Sequence, residues 1–489
     1  MNTELRSGRQ GNLTLSQLVL ALALVAGAAS CSPSNYDTEV DASARARPAC
    51  RDGIDNDGDG RIDYPADPGC SSKNDNSEDT DNPPSAPAPD AASPDAASPD
   101  AASTTTTSPD AASTTTTSTD AASVDTTRMP VPPQSSTVIN VTSPITISGT
   151  VTDVTYNVTG SMPNSTAISL GSTGRLERVR VNVNGNAMNG VGGGTLKDVY
   201  VTGATYAGVA STRRFEGVVF ATNNYVDFYL SGSGVTLPAD AMIKSSNLIN
   251  FSFLAQNLAD SKFDGPIVSL AAAGAPPAAT AFECWGSCQR NLFNIIISNK
   301  APGYGLAIYG TSSVDNVVNE FLGNGNAGTG DSDPGISIGA GATRNVIHKA
   351  TVKRYTVGVV FGEDVDPSPY GNFVHTLIVE DAYWGCVFMD RGAYNNVVGD
   401  VGGTTCTNTG GVDDTHWSSV WIANRPGQTN VPPHDNQVLG LAQSGQLDYP
   451  RYAAYLGSGT TRNTVSGTAT FWTIAKVLDQ GSGNNVNLQ

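Results

Sequence analysis

The sequence predicts an all-β protein: a single-stranded right-handed parallel β-helix (solenoid) with a disordered N-terminal tether. Three observations carry that expectation. The 489-residue chain holds 52 glycines and only 15% charged residues, a balance that favours strands and turns over helices. Its C-terminal three-quarters repeats a short unit of asparagine followed by apolar residues. Ahead of that repeat lies a stretch of Ser, Thr, Pro, Ala and Asp with almost nothing to bury.

The elements follow in chain order. Residues 1–30 read as a signal peptide. Arg6 and Arg9 supply a positive start, and Leu18 to Ala29 is an apolar run too short to span a bilayer stably. The small residues Ala28, Ala29 and Ser30 precede Cys31, which resembles the lipobox of bacterial lipoproteins. The resemblance implies cleavage before Cys31 and a lipid on its thiol. With Ser32 next to the anchor, it also implies sorting to the outer membrane and the cell surface, with simple secretion as the alternative. No later apolar run is long enough to cross a membrane, so the lipid would be the sole membrane contact.

Residues 31–49 form a tether, and residues 50–82 hold a cysteine-bounded acidic loop, CRDGIDNDGDGRIDYPADPGC at 50–70. Asp55, Asp57, Asp59, Asp63 and Asp67 alternate around Gly60, which permits a sharp turn that converges their oxygens. Without a cation these carboxylates repel. The pattern resembles the first half of an EF-hand loop and the thrombospondin type 3 repeats, which implies a structural Ca2+. Ala66 stands where an EF-hand places its bidentate Glu, so no EF-hand helix pair is expected.

Residues 83–134 are the low-complexity linker, in which Ser-Pro-Asp-Ala-Ala recurs between Thr runs. Proline and spaced aspartates keep such a segment extended and solvated. Apart from Cys31 there are six cysteines, an even number in an oxidising compartment. Fifteen pairings are possible, and local spacing favours Cys50 with Cys70, Cys284 with Cys288, and Cys386 with Cys406. Free thiols are the alternative for the last pair.

The β-helix domain spans residues 135–489. Early units place Leu176, Leu196 and Phe215 every 19–20 residues. Later units start at Asn291, Asn316, Asn345, Asn372, Asn396, Asn436, Asn463 and Asn485, each followed by a second apolar run such as GISIGA or GVVFGE. Such units cannot bury their inner face alone, whereas stacked coils share one core. Roughly a dozen coils are expected, with asparagines stacked as a ladder at one corner. Here the chain resembles the pectate-lyase-like superfamily of parallel β-helices.

Aligning Asn345 with Asn372 matches Gly358 to Gly385 and Phe361 to Phe388. On that register His348 lies over His375, Lys353 over Glu380, Arg354 over Asp381, Glu363 over Asp390 and Asp364 over Arg391, with Asn424 and Arg425 added by the next coil. Such columns are either weak surface ion pairs or a groove site. In the groove reading Glu363, Asp390, Arg391 and His375 are the catalytic candidates. Arg425, His416, Trp417 and Trp384 are the substrate-binding candidates, partly from an insertion that also carries Asp413 and Asp414. Carboxylates on adjacent coils sit about 5 Å apart, close to the spacing in retaining glycosidases, and an Arg beside an acid suits elimination from a uronate.

Specific family motifs are sparse. Asp413-Asp414 resembles one element of polygalacturonases, without their Gly-His-Gly and Arg-x-Lys. Val420-Trp421-Ile422 resembles a pectate lyase strand, with Ala423 and Asn424 in place of its Asp and His. The expected function is therefore a surface β-helix lipoprotein that binds or cleaves an extracellular polysaccharide, uronate-containing in one version, by lyase or hydrolase chemistry. A non-catalytic adhesin is the alternative. The net charge of −18 excludes a nucleic-acid binder, which needs Lys and Arg against phosphates, and a monomer is expected.

Overall fold

A computed structural model of the chain describes residues 124–135, 137–246, 250–270, 280–299, 301, 303–325, 334–362, 367–409, 418–424, 431–445 and 450–489. The signal peptide with Cys31, the acidic loop with Asp55, Asp57, Asp59, Asp63, Asp67, Cys50 and Cys70, and most of the linker lie outside them.

The described residues form a parallel β-helix. Every strand pair among the described residues is parallel, and each strand bonds to its equivalent one coil further on. Two long ladders result. The first sheet contains Thr280–Trp285, Leu306–Tyr309, Ile336–Gly339, Val357–Phe361, Gly385–Met389, Ser418–Ile422 and Tyr452–Leu456. The second contains Leu292–Asn299, Val317–Asn324, Val346–Lys353, Phe373–Glu380, Val397–Thr407 and Gln437–Ser444. Between them, at one corner, single-residue parallel bridges run from coil to coil through Gln289, Val314, Thr343, Tyr370, Tyr394, His434 and Thr461. Near the N-terminus the sides run together: Met162–Asn182 pairs with three short strands of the preceding coil.

Inward side chains make one continuous core. Phe293, Phe321, Ile347, Val374, Leu377 and Val398 from the second sheet meet Phe282, Leu306, Ile338, Phe361, Val387 and Val420 from the first. Cross-links lie inside it: Cys386 bonds to Cys406 and Cys284 to Cys288, the pairings expected from spacing. Cys386–Cys406 joins the first sheet to the second within one coil. Closing a loop of this length contributes roughly 3 kcal/mol. The Cys386→Ala/Cys406→Ala double variant is therefore expected to be about that much less stable than the oxidised parent in urea titrations, but no less stable than the reduced parent.

The corner carries the expected asparagine ladder. Asn291, Asn316, Asn345, Asn372, Asn396, Asn436 and Asn463 each donate both backbone N–H and Nδ2–H to the Oδ1 of the next. The last member is Asn484 rather than Asn485, because Asn485 pairs with Thr464 inside the strand ladder. The residue before each ladder asparagine adopts left-handed backbone: Arg290, Asp315, Arg344, Gly371, Asn395, Asp435, Arg462 and Gly483. Several of these pair across coils, Arg344 with Asp315 at 2.8 Å and Arg462 with Asp435 at 2.6 Å. The bond from Arg462 is the main reason the Asp435 carboxyl falls to about 2.

Candidate functional site

The expected charged columns divide between the two sheets. On the outer face of the second sheet, His348 lies over His375, with ring centroids 5.2 Å apart. Lys353 meets Glu380 at 2.7 Å. Arg354 reaches Asn324 rather than Asp381, which accepts from Asn408 instead. His375 Nδ1 is 2.7 Å from Asp400 Oδ1. Burial, and then the neighbouring His375, hold His348 below the usual histidine range. The row continues through Asn319, which donates to Asn294 Oδ1, and Asn294, which donates to the Asp264 carbonyl. This face is a polar ladder, and His375 belongs to it.

Asp390 and Arg391 lie at the end of the first sheet. Their register differs by one residue from the sequence alignment. Phe361 pairs with Met389, and Asp390 N–H donates to the Phe361 carbonyl, so Asp390 follows Gly362 in its column. The cause is turn length: residues 381–384 separate the two strands of the later coil, whereas residues 354–356 separate those of the earlier one. Ala423, not Asn424, extends the Asp390 column, since Met389 pairs with Ile422. Gly362 has a left-handed φ of 94°, and a Cβ there would collide with the Asp390 carbonyl oxygen. Asp390 is fully buried. Its Oδ1 accepts from the Arg391 N–H, while its carbonyl accepts from the Ala393 N–H to close the turn. The geometry is that of a turn cap. Glu363, Arg425, His416 and Trp417 lie outside the described residues.

The outer face of the first sheet has a different chemistry from that of the second. Along one outward column Glu283, Ala307, Ser337, Val360, Phe388, Trp421, Tyr455 and Leu478 follow coil by coil. Phe388 and Trp421 rings are 5.3 Å apart, and Trp421 and Tyr455 6.4 Å. Val357, Val360 and Ala423 pack with them, and Trp384 and Tyr452 lie partly exposed at the margin. Further toward the N-terminus, Trp285 and Tyr304 pack edge-on against Tyr309, whose hydroxyl donates to Ser337 Oγ at 2.7 Å. Glu283 keeps part of its surface exposed, yet burial pushes its carboxyl up to about 7. Leu254 and Ala307 are its neighbours in the column.

Sequence reasoning found Trp384 and Trp421 but missed Glu283, Trp285 and Tyr309. Their signal was present: Glu283 and Trp285 flank Cys284, whose inward position puts both on the outer face.

Among the described residues no three His, Cys, Asp or Glu side chains converge as a metal cluster. His375 stands on one sheet and Asp390 on the other, so the structure does not bring these two together. The fold defines a class, a parallel β-helix, whose first sheet carries an aromatic outer row and whose second sheet carries a polar outer row through Asn294, Asn319, His348 and His375. No protein-family model matches the chain, and no curated protein or solved structure is significantly similar to it.

Proposed function

We propose that this chain is an exported, lipid-anchored surface protein of the pectate-lyase-like kind that holds an extended extracellular polysaccharide against its first sheet without cleaving it. The observation that supports this most is the row of aromatic side chains, Phe388, Trp421 and Tyr455 with Trp384 and Tyr452 beside them, on that outer face. Aromatic rings present flat apolar area to the C–H faces of sugars. Phe388, Trp421 and Tyr455 are buried and form the base, while Trp285, Tyr304, Trp384 and Tyr452 keep part of their surface exposed at its margins and Glu283 adds a partly exposed carboxyl. Binding without cleavage is favoured because His375 and Asp390 lie on different sheets and Asp390 is committed to its turn. In this reading Cys31 is the anchor, the linker is a spacer and Asp55 to Asp67 hold a structural Ca2+.

Calorimetry against a panel of oligosaccharides tests the binding surface. Trp285→Ala and Trp384→Ala are each expected to weaken binding about tenfold, roughly 1.4 kcal/mol, while His375→Ala leaves it unchanged. Equal affinity in all four proteins would remove the aromatic face from consideration. The calcium assignment is checked separately, by calorimetry on the full chain with and without Asp55, Asp57 and Asp59 replaced by Asn. The parent is expected to bind one or more Ca2+ ions with a heat signal that the triple variant lacks.

A further inference from the structure

The last eleven residues of the linker, 124–134, read VDTTRMPVPPQ, and they are not free chain. Val124 packs on an outward apolar cluster of the second sheet built from Val218, Met242, Val268, Ile295 and Ile297. Lys244, only 5% exposed, donates its Nζ to the carbonyls of Thr126 at 2.7 Å and Arg128 at 3.2 Å. Arg128 in turn donates to the Asp240 carbonyl. Met129 to Pro133 then line a cleft with Val179, Arg180, Asp198 and Tyr200, and the Gln134 N–H donates to Asp153 Oδ1.

These contacts describe a path. From Arg128 at Lys244 to Gln134 at Asp153 the segment passes four coils, from Lys244 through Phe220, Tyr200 and Arg180 to the coil of Asp153, about 19 Å at 4.8 Å each. Residues 125–128 close a turn, with the Arg128 N–H donating to the Asp125 carbonyl. The six residue steps from Arg128 to Gln134 in polyproline II conformation cover about 19 Å, so an extended strap fits beyond the turn. Three prolines in Pro130–Pro133 pre-set that conformation, and aromatic and aliphatic surface from Tyr200, Arg180 and Val179 receives it, the usual way proline-rich segments dock. The chain thus reaches the flank of the solenoid several coils before it reaches the first strand, Val138–Val141, which is an exposed edge with Val138 and Ile139 at 56% and 40%.

We propose that Val124–Gln134 is a strain-relief strap: it locks the linker to the flank of the solenoid at Lys244, so that a pull on the linker is taken by the interior coils and not by the open edge strand. The strap stands independently of what the aromatic face binds. An unstrapped chain would deliver tension directly to Val138–Val141 and peel the first coil, one strand at a time.

Trypsin reads this directly, because Arg128 lies in the middle of the strap and no other Lys or Arg occurs between Lys73 and Arg128. In the full folded chain, cleavage after Arg128 is expected to be at least tenfold slower than in a synthetic peptide of residues 120–136. In Lys244→Met, which keeps the stem but not the hydrogen bonds, it is expected to accelerate at least fivefold with unchanged circular dichroism. Should that variant misfold, Pro132→Gly with Pro133→Gly loosens the strap without touching the solenoid and is expected to give the same acceleration. Force spectroscopy from the N-terminus is expected to show the first rupture at lower force in either variant. Cleavage of the folded parent as fast as the peptide, or a first rupture force unchanged by strap variants that are cut faster, would overturn the proposal.

Discussion

Replacing Asn345 by Ala is expected to destabilise the solenoid by about 3–5 kcal/mol. Asn345 is fully buried in the middle of the ladder. Its Nδ2 donates to the carbonyls of Ser313 and Thr343 and to Asn372 Oδ1, and its Oδ1 accepts from the backbone and the amide of Asn316. Alanine strands the Asn316 N–H in a corner that water does not reach, which alone costs about 1–3 kcal/mol, and takes one hydrogen bond each from the Asn316 amide, the Ser313 and Thr343 carbonyls and Asn372 Oδ1. Because each coil touches only its neighbours, the damage is expected to be local. Hydrogen exchange at Val317–Asn324 and Phe373–Glu380 should quicken roughly a hundredfold, with little change near Met162–Asn182. An exchange pattern that rises uniformly, or a loss under 1 kcal/mol, would contradict the ladder's role. Asn345→Asp keeps the acceptor and loses the donors, so it is expected to recover part of the loss at low pH, where the acid is neutral.

The second large effect concerns pH. Asp227 is wholly buried; its Oδ2 accepts from Ser245 Oγ at 2.6 Å and its Oδ1 from the Asn224 amide at 2.8 Å. Burial nonetheless pushes its carboxyl from 3.8 to about 7. Between those values the folded protein holds a proton that the unfolded chain has released. Stability from this group is therefore full below about pH 4 and falls as pH rises to 7, by about 4 kcal/mol in all. Glu283, also raised to about 7 by burial, acts in the same direction. Urea titrations of the parent at pH 5 and pH 8 are expected to differ by at least 2 kcal/mol in favour of pH 5. Asp227→Asn is expected to remove most of that difference, and Asp227→Asn with Glu283→Gln nearly all of it. A parent more stable at pH 8, or an unchanged slope in Asp227→Asn, would mean that Asp227 stays ionised in its corner.

Much of this architecture was legible in the residues. Asparagine followed by apolar residues at coil-length spacing has few other uses, and it located the corner, the stacking of His348 on His375 and the Lys353–Glu380 pair. What periodicity could not supply was turn length. One extra residue between Glu380 and Gly385 slides the next strand and moves Asp390 from Glu363 to Gly362. A repeat aligned on its asparagines is blind to that slip, because glycine and aromatic residues recur on both registers.

The charges at the corner were readable but unread. Arg290, Asp315, Arg344, Asp435 and Arg462 each directly precede a ladder asparagine, and their alternation of sign down the stack marks them as cross-coil pairs. Asp227 and Glu283 lay beyond sequence reasoning for another reason. A single carboxylate on a strand says nothing of its burial until the neighbouring coils are in place. The site was less legible than the fold, since its character comes from an outward face shared by many coils and not from a local motif.

The proposed function is that of a protein that binds an extracellular polysaccharide and leaves it intact. The full chain, incubated with a panel of acidic and neutral polysaccharides, would be followed at once for retention on the polymer, for new reducing ends and for the ultraviolet absorbance of unsaturated products. Retention on at least one polymer, weakened by Trp285→Ala and Trp384→Ala and accompanied by no new ends, is the predicted result. Release of ends that Asp390→Asn or His375→Ala abolishes, while folding is preserved, would contradict it.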